Sequence, residues 1–508
     1  MSKSKAAKRK RDNGNTQAAA RKKFQPPSCS MSNPSELTAA SKSLSTLVSQ
    51  EELEITVDTL RTLIESPAVI KSKACKELRT AVYDFKQACT TGVNAAGDTS
   101  LTGRISAALT DAKYVDALVL LAEMRVRGET PKLGTLCRWV RDVDVVSGLA
   151  MQQDGVSHPH APTPRSSQEL ELLRLLDAIL RVTGPTDRCS VNSLLSTDPV
   201  ALQQVWNLKD ESKPTIRVRE SVLDGSIFEE ASSAIKDRFK ILESTPGPRR
   251  KPPNIHPAVL YLSDDNAVSL RSSDPPSLTL HKHPVVPSLS MIRNLLSPEE
   301  CRTIIAATES VGFLPDVPLR DVETDESPVS TLSHNVYWII DQPFHDALWD
   351  RVRPFVPELV RGRKVCGINR RFRVYRYVPG AVYRCHIDGA WPPSGVSRVP
   401  PSLESPNGLK YHYDASPSDR KQSSLFTFLM YLNDDFDGGE TTFFLPSVRD
   451  GVMNAYPVKP VIGGVVLFPH GEAAGALLHE GTGVKNGAKY IIRTDVEYDS
   501  EPSEEQQL

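Results

Sequence analysis

A histidine and an aspartate, separated by one residue, constrain this chain more than any other feature. In an extended strand, side chains at i and i+2 point to the same face, so His386 and Asp388 can bind one ion together. Two imidazoles and one carboxylate form the three-ligand face that holds Fe(II) and leaves other coordination positions open. We expect His479, far along the chain, to complete this set. The pattern predicts an iron site, not a closed thiolate site for zinc.

Lys489 adds a cation ten residues beyond His479. It is well placed to hold an acidic co-substrate, because a buried carboxylate needs a compensating cation and hydrogen bonds. Arg493 is the alternative for this role. Lys489, Ile491 and Arg493 alternate onto one strand face, and an arginine offers a bidentate fork. Open iron positions beside such a cation predict an oxygenase.

Short β-rich segments separated by turn signals surround these residues. Antiparallel strands of this kind fit a sandwich or jelly roll, in which inward residues of neighbouring strands build a metal site. Capped helices that begin after Ser297 and Asp341 precede the strands and predict a helical buttress against the β-core. The predicted strands are Phe372 to Tyr377, Leu425 to Leu432, Gly464 to Phe468 and Tyr490 to Val496.

Five segments in a fixed order carry a family resemblance. They are Tyr377-x-Pro379-Gly380-x-x-Tyr383-x-x-His386-x-Asp388, Thr427-x-Leu429-Met430-Tyr431-Leu432, Gly438-Gly439-Glu440-Thr441, His479-x-Gly481 and Gly487-x-Lys489. Together they closely resemble the prolyl 4-hydroxylase-type 2-oxoglutarate/Fe(II) dioxygenases, over about residues 287–498. The resemblance implies an α+β chain with a double-stranded β-helix (jelly-roll) catalytic domain. It also implies hydroxylation of a protein side chain, with O2 and 2-oxoglutarate consumed and succinate and CO2 released.

The resemblance further implies how the cofactors are held. His386, Asp388 and His479 would be the iron ligands, and the keto acid would chelate the iron through its 1-carboxylate and 2-oxo group. Its distal carboxylate would pair with Lys489, whose distance from His479 matches the family pattern. Arg493 would then pair with an acidic neighbour, Asp495 or Glu497. Ascorbate use is implied by the family alone.

Three further residues match family positions in or near this site. Tyr377 and Thr427 match positions whose hydroxyls bond the distal carboxylate, and Tyr383 matches a position near the metal that faces the prime substrate. Tyr383 is therefore the candidate catalytic residue. His470 lies nearer to a loop, and we interpret it as solvated or hydrogen-bonded.

The chain departs from the family pattern in two places. A Pro/Ser-rich insertion at residues 391–423 directly follows the metal-binding strand, and loops of this length are usually lids, binding segments or disordered. We expect it to control which substrate reaches the iron, with prolyl residues first among the candidates. Gly481-Thr482-Gly483 also replaces the Cys-Pro-containing turn common after the distal histidine.

Two other functions fit the same residues. Oxidative demethylation of nucleic acid is favoured by a basic arm, but no aromatic-rich basic groove is apparent near the site, and only 6% of the chain is aromatic. A helical scaffold with an inactive dioxygenase domain is the other alternative. The intact ligand set argues against it.

The ends of the chain carry opposite charge. Residues 1–34 form a predicted disordered arm whose clusters at 8–11 and 21–23 resemble a bipartite nuclear localisation signal, so we expect a nuclear, otherwise cytoplasmic, protein. Residues 499–508 form a predicted disordered acidic tail. The eight cysteines include no CxxC, and no apolar run reaches membrane-spanning length, so neither a disulfide framework nor a membrane is expected.

The remaining N-terminal half has a helical pattern. Residues 35–150 form a predicted α-helical domain, which either binds a protein partner or packs on the catalytic domain. Within it, Gly128 is a predicted helix stop before a second helix of an αα-hairpin. Residues 151–286 are interpreted as a linker with helices and Pro-rich segments, including a capping box at Ser166 and Glu169. The dioxygenase domain follows at residues 287–498.

Overall fold

The computed structural model describes residues 48–91, 100–143, 165–188, 198–212, 215–229, 234–249, 257–270, 277–315, 333–381, 383–401 and 407–502. Contacts divide the chain into two compact units, residues 1–60 and 61–508. The described part of the first unit holds the start of one helix, α1, Gln50–Ile64. The predicted basic arm lies outside the described residues. In the ranges given above, no helix combines the length and apolarity needed to cross a membrane.

Four helix ends of the second unit lie at signals predicted from the sequence. Ser166 and Ser297 each form a reciprocal capping box with the glutamate three residues later, and the Asp341 side chain accepts from the Phe344 N–H. Gly128 ends its helix in the left-handed conformation. The helices are α2 Pro67–Ile70, α3 Lys76–Thr91, α4 Leu101–Thr110, α5 Tyr114–Arg127, α6 Leu133–Asp142, α7 Ser167–Thr183, α8 Val218–Leu223, α9 Pro298–Val311 and α10 Gln342–Val352.

The larger β-sheet contains the four strands predicted from the sequence, with ends that differ from the predicted ones by up to three residues. Its strands are β2 Phe239–Thr245, β3 Ala258–Ser263, β4 Thr279–Lys282, β5 Ser290–Arg293, β6 Leu314–Pro315, β7 Ser333–Ile339, β8 Leu359–Val360, β9 Arg363–Ile368, β10 Arg371–Tyr377, β14 Gln422–Tyr431, β18 Val465–Pro469 and β21 Lys489–Asp499. The order is β2-β3-β7-β10-β21-β14-β18-β5-β4, with β6 beside β7, β9 beside β21 and β8 beside β9. β10, β21 and β14 are therefore neighbours at its centre.

The smaller sheet carries both candidate histidine ligands. Its strands are β1 Val200–Leu202, β11 Tyr383–His386, β16 Thr441–Pro446, β17 Met453–Val458 and β19 Leu478–Gly481, in the order β1-β17-β16-β19-β11. Two short ribbons complete the described strands: β12 Gly395–Arg398 pairs with β13 Leu409–His412, and β15 Asp437–Gly438 pairs with β20 Val484–Asn486.

The two sheets enclose an apolar layer. Tyr375 and Leu429 of the larger sheet share a buried cluster with Phe443 and Tyr456 of the smaller sheet. Alternating strand residues point in and out, so the inward rows of both sheets meet in this layer. The mixed sheets fit a jelly-roll-like domain.

The predicted helical buttress covers the outer face of the larger sheet. Trp338 of β7 and Phe372 of β10 pack against Phe344 of α10, with ring centroids 5.4 to 6.0 Å apart. Ile304 and Ile305 of α9 belong to the same buried cluster. This packing fixes the strand that carries Tyr375 and Tyr377 toward the interior.

A second group of helices covers the outer face of the smaller sheet. Trp139 of α6 and Leu176 of α7 share a buried cluster with Ile387, Phe444 of β16 and Leu478 of β19. Leu478 immediately precedes His479, and Ile387 lies between His386 and Asp388. Helices α6 and α7 therefore pack directly behind the candidate metal ligands, and for α6 this is one of the two roles expected of the N-terminal helices.

A buried ion pair joins α7 to the turn between β16 and β17. The Arg181 guanidinium binds Asp177 at 2.7 Å and donates to the carbonyls of Ser447 and Arg449, while the Gly451 N–H donates to Asp177. Burial raises the pKa of Asp177, and Arg181 opposes that shift. Because both groups are buried, removal of either would leave an uncompensated charge.

The segment interpreted as a linker contributes to both sheets. β1 pairs in parallel with β17, and β2 and β3 extend the larger sheet from β7. The predicted domain boundaries stay predictions. Three apolar side chains of α3, Leu78, Val82 and Phe85, are exposed in the structure.

We predict that Leu176→Ala lowers the free energy of unfolding by about 2–5 kcal/mol, because it leaves a cavity behind the smaller sheet. Urea denaturation measures the change. Leu223→Ala, at a side chain that is 69% exposed, is the matched control and should change stability by no more than about 0.5 kcal/mol. Equal effects of the two substitutions would contradict the packing described here.

Candidate active site

His386 and His479 lie opposite each other on paired antiparallel strands, β11 and β19. With Asp388 they form a cluster in which one ligand atom from each residue lies within 4.8 Å of the others. The Nε2 atoms of His386 and His479 lie 3.5 and 3.7 Å from the Asp388 carboxylate oxygens. The structure therefore brings together the three residues that the sequence singled out as metal ligands.

Each histidine is oriented by a backbone carbonyl two residues before it. The His386 Nδ1–H donates to the Arg384 carbonyl at 2.7 Å, and the His479 Nδ1–H donates to the Leu477 carbonyl at 3.1 Å. A carbonyl can only accept, so both Nδ1 atoms carry the proton and both Nε2 lone pairs face Asp388. Burial lowers the pKa of His479 to about 3, which keeps that ring neutral and able to bind a metal.

A chain of hydrogen bonds orients Asp388. The Thr427 hydroxyl donates to Asp388 Oδ2 at 2.7 Å and lies 2.8 Å from His470 Nδ1. His470 Nε2 lies 2.7 Å from the Ser424 hydroxyl, which accepts the Trp391 N–H at 2.9 Å. Burial lowers the pKa of His470 to about 3, so the ring is neutral and passes a hydrogen bond from one hydroxyl to the other. Of the two interpretations of His470, the hydrogen-bonded one is correct and the solvated one is wrong.

Arg493 balances the charge of the buried carboxylates. Its guanidinium lies 3.2 Å from both Asp388 and Asp495. Burial alone would raise the pKa of Asp388, but the Arg493 guanidinium beside it holds that pKa well below its ordinary value. The predicted pairing with Asp495 is present, and the pairing with Asp388 was not foreseen.

Lys489 lies at the other end of the same cavity, almost fully buried at 3% exposure. Its ammonium donates to the Gly439 carbonyl at 2.6 Å and lies 5.9 and 5.6 Å from the rings of Tyr377 and Tyr431. Burial lowers its pKa to about 8. Among the described residues, no carboxylate lies within ion-pair distance of this ammonium. A buried cation in that position calls for an anionic ligand.

Two hydroxyl groups missed by the sequence analysis lie at this end. Tyr431 donates to Thr441 Oγ1 at 2.7 Å, and the Tyr431 ring contacts Lys489. Both residues belong to the motifs quoted above, and Tyr431 shares the inward face of β14 with Thr427 because the two are four residues apart. The hydroxyl of Thr427, by contrast, lies at the metal end, where it donates to Asp388. Its predicted bond to the distal carboxylate of 2-oxoglutarate stays a prediction.

The cavity between the two ends encloses about 550 Å³ of space, part of which is open to solvent. Tyr383 lies beside the cluster, with its ring centroid 4.5 Å from that of His386. The glycine at position 481 leaves room for Tyr383 on the neighbouring strand, because a Cβ at residue 481 would lie only 3.1 Å from the Tyr383 Cβ. The inward rings of Tyr375 and Phe468 complete the wall.

The residues present fit an iron ion with an acidic chelating ligand. The donor set is two neutral imidazoles and a carboxylate, which suits Fe(II) and leaves positions open. The buried ammonium of Lys489 lies in the same cavity and lacks a carboxylate partner in the described part of the chain. The chemistry of both ends therefore agrees with Fe(II) and 2-oxoglutarate.

Comparisons with known proteins indicate the same kind of site. Residues 372–494 match the profile of the 2OG-Fe(II) oxygenase superfamily. Prolyl 4-hydroxylase 1 of Arabidopsis thaliana is 27% identical over 223 residues, which cover 40% of this chain and 66% of that protein. The chain thus spans slightly less than two thirds of the length of this relative.

Two solved structures were also matched. A viral collagen prolyl hydroxylase from Paramecium Bursaria Chlorella virus-1, bound to 2OG, is 20% identical over 42% of this chain and 97% of its own, with a TM-score of 0.25. A Pseudomonas putida prolyl-4-hydroxylase is 21% identical over 41% of this chain and 91% of its own, also with a TM-score of 0.25.

The sequence match and the arrangement of the site define the class. The domain around residues 372–494 is a 2-oxoglutarate/Fe(II) oxygenase domain. The similarity to a prolyl 4-hydroxylase agrees with this match, and together they confirm the resemblance found in the sequence.

We predict that His479→Ala weakens Fe(II) binding by more than about 100-fold, because even partners that only orient a ligand are worth about 10–100-fold. Thr427→Val, which removes the hydroxyl bound to Asp388, should cost about 10-fold for that reason. Anaerobic titration with Mn(II) or Fe(II) measures both. His281→Ala, at a half-buried histidine on β4, is the control and should bind metal as the wild type does. If His479→Ala bound the metal with wild-type affinity, His479 would not be a metal ligand.

Proposed function

We propose that this protein is an Fe(II)/2-oxoglutarate-dependent dioxygenase that hydroxylates a protein side chain, with prolyl residues first among the candidates. The observation that carries the proposal is the meeting of three metal-binding side chains and a buried lysine in one cavity. The domain around this cavity belongs to a superfamily of such enzymes. We also propose that its β-core is a double-stranded β-helix.

In this proposal the chain's own residues position the reactants. His386, Asp388 and His479 hold the iron, and Lys489 holds the distal carboxylate of 2-oxoglutarate. Tyr383, beside the cluster, faces the substrate side chain. When bound, the iron and the keto acid supply the activation of O2, with succinate and CO2 as co-products. The apolar rings around the cavity exclude water and so strengthen each electrostatic contact within it.

Three further expectations remain proposals. The basic arm directs the chain to the nucleus, the helices at residues 35–150 bind a protein partner, and ascorbate supports turnover. Each rests on sequence pattern or family resemblance.

Turnover with defined substrates tests the proposed reaction. The full chain, loaded with Fe(II), 2-oxoglutarate and ascorbate, should release succinate in step with hydroxylation of a proline-containing peptide from an array. Mass spectrometry of the peptides and of methylated oligonucleotides identifies the product. His386→Ala should lose turnover and keep its fold by circular dichroism, because the side chain is only half-buried.

The outcomes separate the candidate functions. Demethylation of an oligonucleotide without peptide hydroxylation would favour the nucleic-acid alternative. Absence of metal-dependent 2-oxoglutarate binding would favour an inactive scaffold. Full turnover by His386→Ala would show that the metal centre is wrongly assigned.

The affinity for 2-oxoglutarate should depend on the charge of Lys489. Its pKa of about 8 means that the ammonium is present below that pH and lost above it. We therefore predict that the anaerobic dissociation constant rises by about tenfold per pH unit above pH 8, since one proton is lost. Lys489→Ala at pH 7 should weaken binding by at least about thirtyfold, which is about 2 kcal/mol.

Lys489→Arg is the matched control, because a guanidinium stays charged across this pH range. Its affinity should show no rise in dissociation constant between pH 7 and 9. Unchanged affinity in Lys489→Ala would move the role to Arg493.

A further inference from the structure

One neighbour of the strand that carries Lys489 ends before it reaches that residue. β10 pairs with β21 as far as Lys489 itself, whereas β14 pairs only with residues 491–499. One further backbone bond runs from the Leu432 N–H to the Tyr490 carbonyl. The Tyr490 N–H and the Ala488 carbonyl face the side that β14 has left, because alternate residues of a strand direct their backbone groups to the same neighbour. Both residues are fully buried, so these groups need partners.

The side chain of Asn433 takes the place of the strand that has ended. Its Oδ1 accepts the Tyr490 N–H at 2.8 Å, and its Nδ2 donates to the Ala488 carbonyl at 2.7 Å. The residue itself is 0% exposed. A side-chain amide can do this because it carries a donor and an acceptor in one planar group. The backbone on both sides of Lys489 is therefore held by a single side chain.

Asp435 and helix α8 hold the Asn433 amide in its turn. Asn433 Nδ2 also donates to Asp435 Oδ1 at 2.6 Å, and Asp435 Oδ2 accepts the Arg219 N–H at 2.8 Å. Burial raises the pKa of Asp435, and these hydrogen bonds oppose that shift. Arg219 lies in the first turn of α8, and its guanidinium lies 3.3 Å from the Tyr490 hydroxyl. A helix from the segment interpreted as a linker thus supports the Lys489 end of the cavity.

These contacts decide where the Lys489 ammonium lies. The side chain of a strand residue leaves the backbone in a direction set by the peptide groups on either side of it. A lysine places its charge at the end of a long, flexible stem, so a small rotation at the Cα displaces the ammonium. The ammonium donates to the Gly439 carbonyl, which lies in the same connection between β14 and β16 as Asn433. This connection therefore fixes both the base and the tip of the lysine side chain.

We propose that Asn433 is a positioning residue for the co-substrate. By binding the backbone on both sides of Lys489, it directs the ammonium to the distal carboxylate of 2-oxoglutarate. This inference rests on the proposed function for the role of Lys489. Of the described residues, those that line the cavity include neither Asn433 nor Asp435. Their effect on the ligand therefore passes through the lysine.

Two keto acids that differ only at their far end test this role. 2-Oxopentanoate has the 1-carboxylate, the 2-oxo group and the chain length of 2-oxoglutarate, but it lacks the distal carboxylate. Binding of each to the full chain with Mn(II) is measured by isothermal titration calorimetry. Asn433→Ala should weaken 2-oxoglutarate binding by about tenfold, because the ammonium moves away from the carboxylate. It should leave 2-oxopentanoate binding unchanged within about twofold.

A double-mutant cycle shows whether the effect passes through the lysine. The Lys489→Ala variant has no ammonium to position. In that background Asn433→Ala should change the affinity for 2-oxoglutarate by no more than about twofold, which is the usual limit for two sites that do not interact further. A second loss of about tenfold in that background would show that Asn433 acts elsewhere, and it would overturn the inference.

Asn454→Ala is the matched control. Asn454 is likewise 0% exposed and donates to a buried carboxylate, that of Asp187, but it lies on β17 of the smaller sheet. Its removal should lower the stability of the fold and leave the affinity for both keto acids unchanged. If Asn433→Ala does not fold, Asp435→Asn replaces it, because an amide presents an N–H at one of the two ends where the carboxylate accepts. This variant should weaken binding of 2-oxoglutarate alone, by about threefold.

The outcomes distinguish this inference from the proposed function. Equal losses for the two keto acids, or wild-type affinity for 2-oxoglutarate in the folded variant, would overturn the positioning role. The proposed function would stand in that case, provided that Lys489→Ala still lowers the preference for 2-oxoglutarate. A wild-type chain that binds neither keto acid with Mn(II) would overturn the proposed function and the inference together.

Discussion

The pairing of β11 with β19 is the contact on which the site depends. It sets His386 directly opposite His479, although more than ninety residues separate them along the chain. Register matters here because a shift by one residue would turn one imidazole to the opposite face of the sheet. Helices α6 and α7 pack behind these two strands and hold them in place. These two helices are thus part of the structure that supports the candidate metal ligands.

The cavity separates its charges into two ends. At the metal end, Asp388 is compensated by Arg493 and oriented by Thr427, so its carboxylate stays ionised despite burial. At the other end, Lys489 is buried beside aromatic rings and the Gly439 carbonyl. An anionic keto acid that spans both ends would satisfy the iron and the ammonium together. Burying these charges costs free energy unless each has a partner of opposite charge. A single ligand that reaches both ends would therefore lower this cost.

The sequence was sufficient for the parts of the fold that local chemistry dictates. Helix caps at Ser166, Ser297 and Asp341 are present as predicted, and so are the four central strands. The metal cluster was also found, because its spacing on a strand and its order in the chain are both visible in the sequence. Long-range packing was not visible. Nothing local indicates that β1 joins β17 or that β2 and β3 extend the larger sheet.

The inward polar residues were the hardest to interpret. Arg371 and Arg373 alternate with apolar neighbours on β10, a pattern that looks the same for a solvated face and for the wall of a cleft. His470 follows a strand and resembles a loop residue, but the fold buries it between two hydroxyls. In both cases the deciding information is which strand or loop lies opposite. The Arg371 guanidinium, for example, contacts the rings of Tyr337 and Trp391, which come from different parts of the chain.

A crystal structure of the full chain, grown anaerobically with Fe(II) and 2-oxoglutarate, tests the central claim most directly. The account predicts one metal ion bound by the Nε2 atoms of His386 and His479 and a carboxylate oxygen of Asp388. It also predicts that the distal carboxylate of the keto acid contacts Lys489 Nζ. A metal ion bound elsewhere in the chain, or a keto acid whose distal carboxylate lies on Arg493, would contradict it.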